Sequence, residues 1–425
     1  MTEESKPSDE RVDRFKAAVG AGDAAGLREL LSREGDLLAI IDAPLFPYDA
    51  PAIVTARNDR QLVDALLEFG ADIDRRSSWW AGGFGVLDNT EPEMASYLIS
   101  RGATVDVHAA AGLGLLDRLE EILRSDPGAV HARGGDGQRP LHFARSSGVV
   151  DLLLDRGAQL EARDLDHGST AAQWMVGDRP ELCRYLLERG AEADIFMAAW
   201  LGDLVLAESV LARRPQALSD RLGEPPFVAE GSEAAHIYVY SLGGPPRPLM
   251  LAAHRGHERW VRALLPGAPP SEQLLCNCWQ VDRRRVEELL ERYPGLVSEL
   301  PRRDLALLSE AAWENRLGSV KLMLELGFDP HIRGVHASTP LDRAAFHGFS
   351  EMVELLLDHD PPLTLRNEFD SIPLATCLYG SLHGWRDDGD HAATAQALIR
   401  AGSPLPEEVW GSEEVREVLR RAGLP

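Results

Sequence analysis

The densest group of chemically capable side chains lies in a short segment near the end of the chain, residues 381–391. Nine consecutive positions of it carry His383, Trp385, Asp387, Asp388, Asp390 and His391. Carboxylates and imidazoles that meet on one loop are the groups that acid–base catalysis, metal binding or sugar binding requires. No fixed ligand spacing such as HExxH is present. The segment is therefore interpreted either as a binding loop or as a solvated loop with one anchoring tryptophan.

A second unusual segment is the insertion at residues 224–246. Its centre, residues 236–240, alternates in strand fashion and predicts a short strand with His236, Tyr238 and Tyr240 on one side. If both insertions fold over one groove, they would close a small-molecule pocket. The acid–base candidates for that interpretation are Glu310, Asp387, Asp388, His236 and His347.

Under this interpretation the chain would be a receptor or an enzyme such as a hydrolase or lyase. A carbohydrate is the expected ligand, because tryptophan platforms and paired carboxylates suit neutral polyols. Against it, the sequence has no nucleophile motif, no phosphate-binding glycine loop and no metal signature. No cofactor and no metal are expected.

A recurring helix end of the form LLxxGA organises the rest of the chain. Its glycine stands at positions 70, 102, 157, 190, 267, 327 and 402. The step from 157 to 190 is nearly the same as the step from 70 to 102. Self-similarity at such a period predicts stacked supersecondary units that bury their apolar faces against one another.

The segment STPLDRAAFHGFSEMVELLLDHD, residues 338–360, resembles the ankyrin repeat. Looser copies occur at 51–74, 138–164, 247–265 and 371–380. Thr339 is expected to cap a helix whose first residue, Pro340, lacks the amide proton that would be unsatisfied there. The resemblance covers nearly the whole chain and implies an all-α solenoid of about twelve helix pairs with short hairpin loops, similar to bacterial multi-ankyrin arrays.

The predicted organisation is a tail at 1–10, expected to be disordered, and a single solenoid at 11–425. Its parts are an amino-terminal cap at 11–41, the insertions at 224–246 and 381–391, and a carboxy-terminal cap helix at 408–425. Four cysteines have no metal-ligand spacing; Cys183 and Cys377 are interpreted as core residues, and the same interpretation is favoured over a redox or metal role for Cys276 and Cys278.

Charge and hydropathy narrow the classes of partner. The 68 acidic residues outnumber the 44 basic ones, giving a formal net charge of −24 that repels phosphate backbones and anionic membranes. No stretch approaches the roughly 18 apolar residues of a membrane helix, and the first residues lack an apolar signal core. The expected location is the cytoplasm, without nucleic-acid or membrane partners.

The ankyrin resemblance implies that the hairpins and first helices line a concave groove that recognises a protein partner. The candidate binding residues there and in the insertions are Tyr238, Tyr240, His254, Trp313, Arg343, Phe346, His347, Tyr379, His383, Trp385 and Asp390. A scaffold that binds a protein is the favoured function, and the small-molecule pocket is the alternative. Trp79 and Trp80 form a third unusual feature, and the sequence leaves open whether they contact a ligand or seal a repeat junction.

Overall fold

Helix boundaries follow the capping chemistry of the sequence. The Thr339 hydroxyl accepts the backbone N–H of Asp342 at 3.2 Å, and the Asp342 carboxylate accepts the backbone N–H of Thr339 at 2.9 Å. This reciprocal capping box starts a helix at Pro340, as predicted. The same helix ends at Gly348, whose φ of +73° is left-handed.

The computed structural model describes residues 8–243 and 245–424, so the first seven residues of the predicted tail lie outside it. The first half of the helices comprises α1 Asp9–Gly20, α2 Ala24–Arg33, α3 Ala52–Thr55, α4 Arg60–Glu68, α5 Pro92–Ser100, α6 Val107–Gly112, α7 Leu116–Ser125, α8 Pro140–Phe143, α9 Ser147–Asp155, α10 Ala171–Asp178, α11 Pro180–Glu188, α12 Ile195–Leu201, α13 Leu204–Arg213 and α14 Ile237–Ser241. The second half comprises α15 Pro248–His254, α16 Glu258–Leu264, α17 Pro270–Gln280, α18 Arg283–Arg292, α19 Leu296–Glu299, α20 Arg302–Leu305, α21 Leu307–Trp313, α22 Leu317–Glu325, α23 Pro340–His347, α24 Ser350–Leu357, α25 Pro373–His383, α26 His391–Arg400 and α27 Glu413–Arg421.

Short 3-10 helices and turns join these elements. The 3-10 helices are Gly35–Ile40, Pro47–Asp49, Pro127–His131, Gly135–Gly137, Pro215–Ser219, Leu265–Gly267 and Val335–Ala337. Within the described residues, extended pairing is limited to two isolated bridges, Phe46 with Ala50 and Arg163 with Thr170. The all-α class is therefore confirmed.

The chain divides into two units. Of the described residues, 8–197 and 221–243 form the first unit, and 198–220 and 245–424 form the second. In the first unit the first helices α6, α8 and α10 pack in succession, and the second helices α7, α9 and α11 do the same. In the second unit α21, α23 and α25 form one row and α22, α24 and α26 the other. Helix pairs thus pack on adjacent helix pairs within each unit, as in an ankyrin-repeat stack.

Most glycines of the recurring LLxxGA helix end, which we name the landmark glycines, adopt the left-handed conformation just after their helix. Gly327 has a φ of +88° after α22, and the glycines at 70, 102, 157, 190 and 402 share a positive φ. Gly267 differs, because it ends the 3-10 helix Leu265–Gly267 and has no positive φ.

Two local predictions need correction. Residues 237–241 form the helix α14 and not a strand, because Ile237, Tyr238 and Leu242 are buried on one helical face. In the second insertion α25 continues to His383, so the irregular loop spans 384–390 only. The stretch 76–91 holds no α-helix before α5, so Trp79 and Trp80 lie on a loop.

The four cysteines are free and buried, which agrees with their interpretation as core residues. Burial raises the pKa of Cys183, Cys276 and Cys278 to about 12 each, so these thiols stay protonated. Among the described residues, no helix combines the length and the apolar character that a membrane span requires.

Candidate functional site

Aromatic side chains gather at the ends of successive first helices in the second unit. Trp313 ends α21, Phe346 lies at the end of α23, and Tyr379 lies in the last half of α25. The rings of Trp313 and Phe346 stack at 5.5 Å and 19°, and those of Phe346 and Tyr379 are 6.3 Å apart. Equivalent helices that lie one repeat apart therefore place these rings side by side.

The loop 384–390 completes this surface with an exposed ring. Trp385 is 68% exposed, yet its ring lies 5.8 Å from Trp313 and 5.5 Å from Phe346. Tyr379 is 51% exposed and its ring lies 4.4 Å from that of His383. We name Trp313, Phe346, Tyr379, His383 and Trp385 the aromatic patch.

Backbone contacts hold the loop against α23. The Asp390 N–H donates to the Gly348 carbonyl at 2.7 Å, and His391 Nε2 lies 3.0 Å from the Phe346 carbonyl oxygen. A Cβ atom at Gly389 would come within 1.8 Å of the His347 carbonyl oxygen, so only glycine allows this approach. Trp385 is therefore presented by an anchored loop.

Arginines paired to carboxylates frame the aromatic patch. Arg343 donates to Glu310 at 2.7 Å, and its guanidinium lies 4.2 Å from the Trp313 ring centroid. Arg386 donates to Asp388 at 2.9 Å. This hydrogen bond lowers the pKa of Asp388. Each arginine is consequently fixed by a carboxylate and covers an aromatic face, since Arg386 also lies 5.0 Å from the Phe349 ring centroid.

The five acid–base candidates occupy unlike environments. Glu310 and Asp388 are held by the arginines just described, and Asp387 is exposed on the loop. His347 is 1% exposed, and burial lowers its pKa to about 4. His236 is buried in the first unit, where burial also lowers its pKa to about 4. Apart from the exposed Asp387, these are the environments of structural ion pairs and packed rings.

The remaining candidate binding residues divide between surface and core. Tyr238 is buried in the first unit and donates from its hydroxyl to Asp194 at 2.7 Å, so it contributes to packing. Asp390 caps α26 by accepting the Ala393 N–H at 2.8 Å. His254 ends α15 with its ring 6.2 Å from that of Trp279. Tyr240 is 62% exposed beside His167 in the first unit.

A cleft in the first unit was not singled out from the sequence. Its volume is about 1110 Å³. Its aromatic walls are Tyr48, Trp79, Trp80, Phe84, Trp174 and Tyr240, and its polar lining includes Asp136, Asp166, His167 and Ser232. We name it the tryptophan cleft. The sequence alone marks only Trp79, Trp80, Tyr240 and the 224–246 insertion as unusual, because most of the other lining residues lie in hairpins or helices distant in sequence.

Asp136, Asp166 and His167 could together hold a metal ion. One ligand atom from each lies within 4.8 Å of the others. Burial and the neighbouring carboxylates of Asp166 and Asp164 raise the pKa of Asp136 to about 7. Carboxylate and imidazole donors suit several divalent ions, so the donor set is compatible with a metal without selecting one.

The repeats match known proteins over parts of the chain. A family model described as ankyrin repeats in three copies matches residues 107–197, and a single ankyrin-repeat model matches residues 247–273. The mouse "Ankyrin repeat and SAM domain-containing protein 6" is 34% identical over 91 residues, which are 20% of this chain and 10% of the mouse protein. The rat protein of the same name is 33% identical over 94 residues, 21% of this chain and 11% of the rat protein.

A longer but weaker match extends over most of the chain. The Arabidopsis thaliana "E3 ubiquitin-protein ligase KEG" is 24% identical over 360 residues, 75% of this chain and 21% of the plant protein. The chain thus spans less than a quarter of the length of each of these relatives. Together with the two rows of packed helices in each unit, the matches identify the chain as an ankyrin-repeat protein.

Proposed function

We propose that this chain is a protein-interaction module and that its partner binds the aromatic patch of the second unit. Ankyrin repeats imply a protein-interaction domain, because the stacked helix pairs are scaffold and function lies in the surface they present. The observation that carries the proposal is the exposed Trp385 ring, packed on Trp313 and Phe346 by an anchored loop.

Large exposed rings favour a binding role over a purely structural one. Tryptophan and tyrosine are enriched among the residues that dominate binding energies, since they bury much area at little cost in conformational entropy. Leu382 is 53% exposed next to this surface and enlarges the apolar area. Contiguous apolar surface of this kind typically marks a binding site on a folded protein.

The flanking charges define the partner further. Arg343 and Arg386 are each paired with a carboxylate of the same chain. The rings beside them therefore suit an aromatic or aliphatic side chain of the partner better than a charged one. The partner segment therefore carries apolar anchors. The predicted solenoid boundaries, the cytoplasmic location and the absence of a nucleic-acid partner belong to the same proposal. The net charge of −24 supports the last of these, because it repels phosphate backbones.

Affinity capture with paired variants tests this function. The full chain should capture a stoichiometric protein partner from extracts of its source cells, and Tyr379→Ala combined with Trp385→Ala should weaken the purified complex about tenfold or more. Both rings are exposed, so the double variant should keep the melting temperature of the wild type.

Phe369→Ala provides the matched control. Phe369 is an aromatic side chain of the same unit that is 66% exposed, and its ring contacts His336 instead of the aromatic patch. Its removal should leave the dissociation constant unchanged. Equal affinity for the wild type and the double variant would refute the proposed surface.

A further inference from the structure

The tryptophan cleft of the first unit is not used by the proposed function. Aromatic rings form two walls. On one side the Tyr48 ring meets Trp79 at 5.3 Å and Phe84 at 5.8 Å, and Trp79 lies 6.2 Å from Trp80. On the other side the His167 ring meets Trp174 at 5.1 Å and Tyr240 at 5.5 Å.

Carboxylates of consecutive hairpins line the same cleft. The Asp136 carbonyl accepts the backbone N–H groups of Leu165 and Asp166 at 3.0 and 3.2 Å, so the tips carrying Asp136 and Asp166 are stacked directly. Ser232 of the insertion donates to Asp166 at 2.8 Å. Among the described residues, no lysine or arginine nitrogen lies within 4.0 Å of the Asp136 or Asp166 carboxylates.

At an equivalent pair of hairpin tips in the second unit, the acidic side chain is paired with a histidine. His336 occupies the turn position that corresponds to Asp136, with the same left-handed backbone, and its carbonyl accepts the Glu368 N–H at 3.0 Å. There the side chains of His336 and Glu368 pair with each other. The first unit instead places two acidic groups at the stacked tips, a like-charge arrangement that an added cation would stabilise.

The chain itself shows how such a site can be filled. In the second unit Arg343 lies over the Trp313 ring at 4.2 Å while donating to Glu310 at 2.7 Å. A planar guanidinium can stack on an aromatic face and bond a carboxylate at its edge at the same time. The tryptophan cleft offers both surfaces, and neither of its two acidic groups has an arginine of the described chain in contact.

We propose that the tryptophan cleft binds the arginine side chain of a peptide, with the guanidinium between the aromatic walls and bonded to Asp136 and Asp166. The volume of about 1110 Å³ exceeds the roughly 300–1,000 Å³ of pockets that hold drug-sized ligands, so residues flanking the arginine fit as well.

An arginine fits this site better than a divalent metal ion or a trimethylated ammonium does. A hard divalent ion would use the carboxylates but gain nothing from six aromatic side chains. A trimethylated ammonium would use the rings, yet it has no N–H group and cannot donate hydrogen bonds to the two neighbouring carboxylates as a guanidinium does.

Calorimetry on the full chain tests the proposal with capped tripeptides. The probes are acetyl-Ala-Arg-Ala-amide and the same peptide with citrulline, lysine or trimethyllysine in place of arginine. The arginine peptide should bind about tenfold or more tightly than the citrulline peptide, which has the same shape without the charge. It should also bind more tightly than the lysine and trimethyllysine peptides.

Variants locate the binding. Asp166→Asn and Trp80→Ala should each weaken binding of the arginine peptide about tenfold. Trp80 is 55% exposed, so its removal should leave the fold intact. Asp117→Asn, an exposed acidic position on α7, should have no effect. Trp385→Ala should also have no effect, which separates this site from the aromatic patch.

Four results would overturn the inference. They are equal affinity for the arginine and citrulline peptides, tighter binding of the trimethyllysine peptide, no heat from any peptide at millimolar concentration, and Zn²⁺ binding that Asp166→Asn abolishes without any response to peptide. The last result would assign the cleft as a metal centre.

Discussion

The imidazole of the buried His347 meets the indole of Trp313, a member of the aromatic patch, at 4.1 Å and 65°. His347 is buried, and neither of its ring nitrogens has a hydrogen-bond partner among the described residues. A ring held in this way is costly to protonate, because a charge there would lack both water and a carboxylate in direct contact.

This arrangement predicts acid sensitivity. Burial, followed by the nearby Arg386 and Arg343, lowers the pKa of His347 to about 4, whereas an unfolded histidine titrates near about 6.5. Between these values the unfolded chain binds a proton that the folded chain does not, so stability is full above about pH 6.5 and falls as the pH decreases. When the pH falls from about 7 to 5, His347→Leu should lose about 2 kcal/mol less unfolding free energy than the wild type, measured by urea unfolding. The exposed His383→Leu serves as the control and should lose as much stability on acidification as the wild type.

The backbone conformations of two landmark glycines predict different stability losses for the same substitution by alanine. Gly327→Ala should destabilise the second unit by about 1 kcal/mol, because alanine resists its φ of +88° although nothing lies within 4 Å of the new Cβ. Gly267→Ala should be close to neutral, since its φ is not positive and its surroundings are equally open. Equal effects in thermal melts would contradict the conformational explanation.

The buried ion group around Arg247 predicts a large loss of stability. Arg247 pairs with both Glu272 and Asp304, and all three side chains are buried. Arg247→Ala should cost about 3–5 kcal/mol, because it removes the buried cation that both carboxylates share. Arg262→Ala on the exposed face of α16 should change the unfolding free energy by no more than about 0.5 kcal/mol. A small loss for Arg247→Ala would show that other contacts of the carboxylates replace it.

The anchored loop predicts a change in protease sensitivity. Gly389→Ala should detach the loop from α23, because its Cβ would overlap the His347 carbonyl oxygen, and trypsin should then cleave faster after Arg386. Asp387→Ala, an exposed change in the same loop, should leave the cleavage rate unchanged. Identical rates for both variants would mean that the loop is not held by this contact.

The local signals of the repeat were readable from the sequence. Thr339, Pro340 and the glycine after each second helix act through capping and backbone conformation, which depend on neighbouring residues alone. The strand predicted at 236–240 was wrong because alternation over so short a segment cannot be distinguished from one short buried helical turn. The burial of Tyr238 beside Asp194 determines the conformation of that segment, and no local sequence pattern indicates this contact.

Site residues were readable where the repeat period brings them together. Trp313, Phe346 and Tyr379 stand at equal steps of one repeat along the chain, so a stack of equal units predicts their proximity. The tryptophan cleft combines Tyr48, a hairpin lacking its helix, and the 224–246 insertion, which is distant from both in the sequence. Its assembly depends on how these irregular segments fold back, which periodicity does not encode.

Site-directed photocrosslinking tests the central claim most directly. A photoreactive phenylalanine analogue in place of Tyr379 should crosslink to the captured partner, because position 379 lies in the aromatic patch. The same analogue in place of Phe369, another exposed aromatic position of the second unit, should not. Crosslinks from position 369 and none from position 379 would contradict recognition through the aromatic patch.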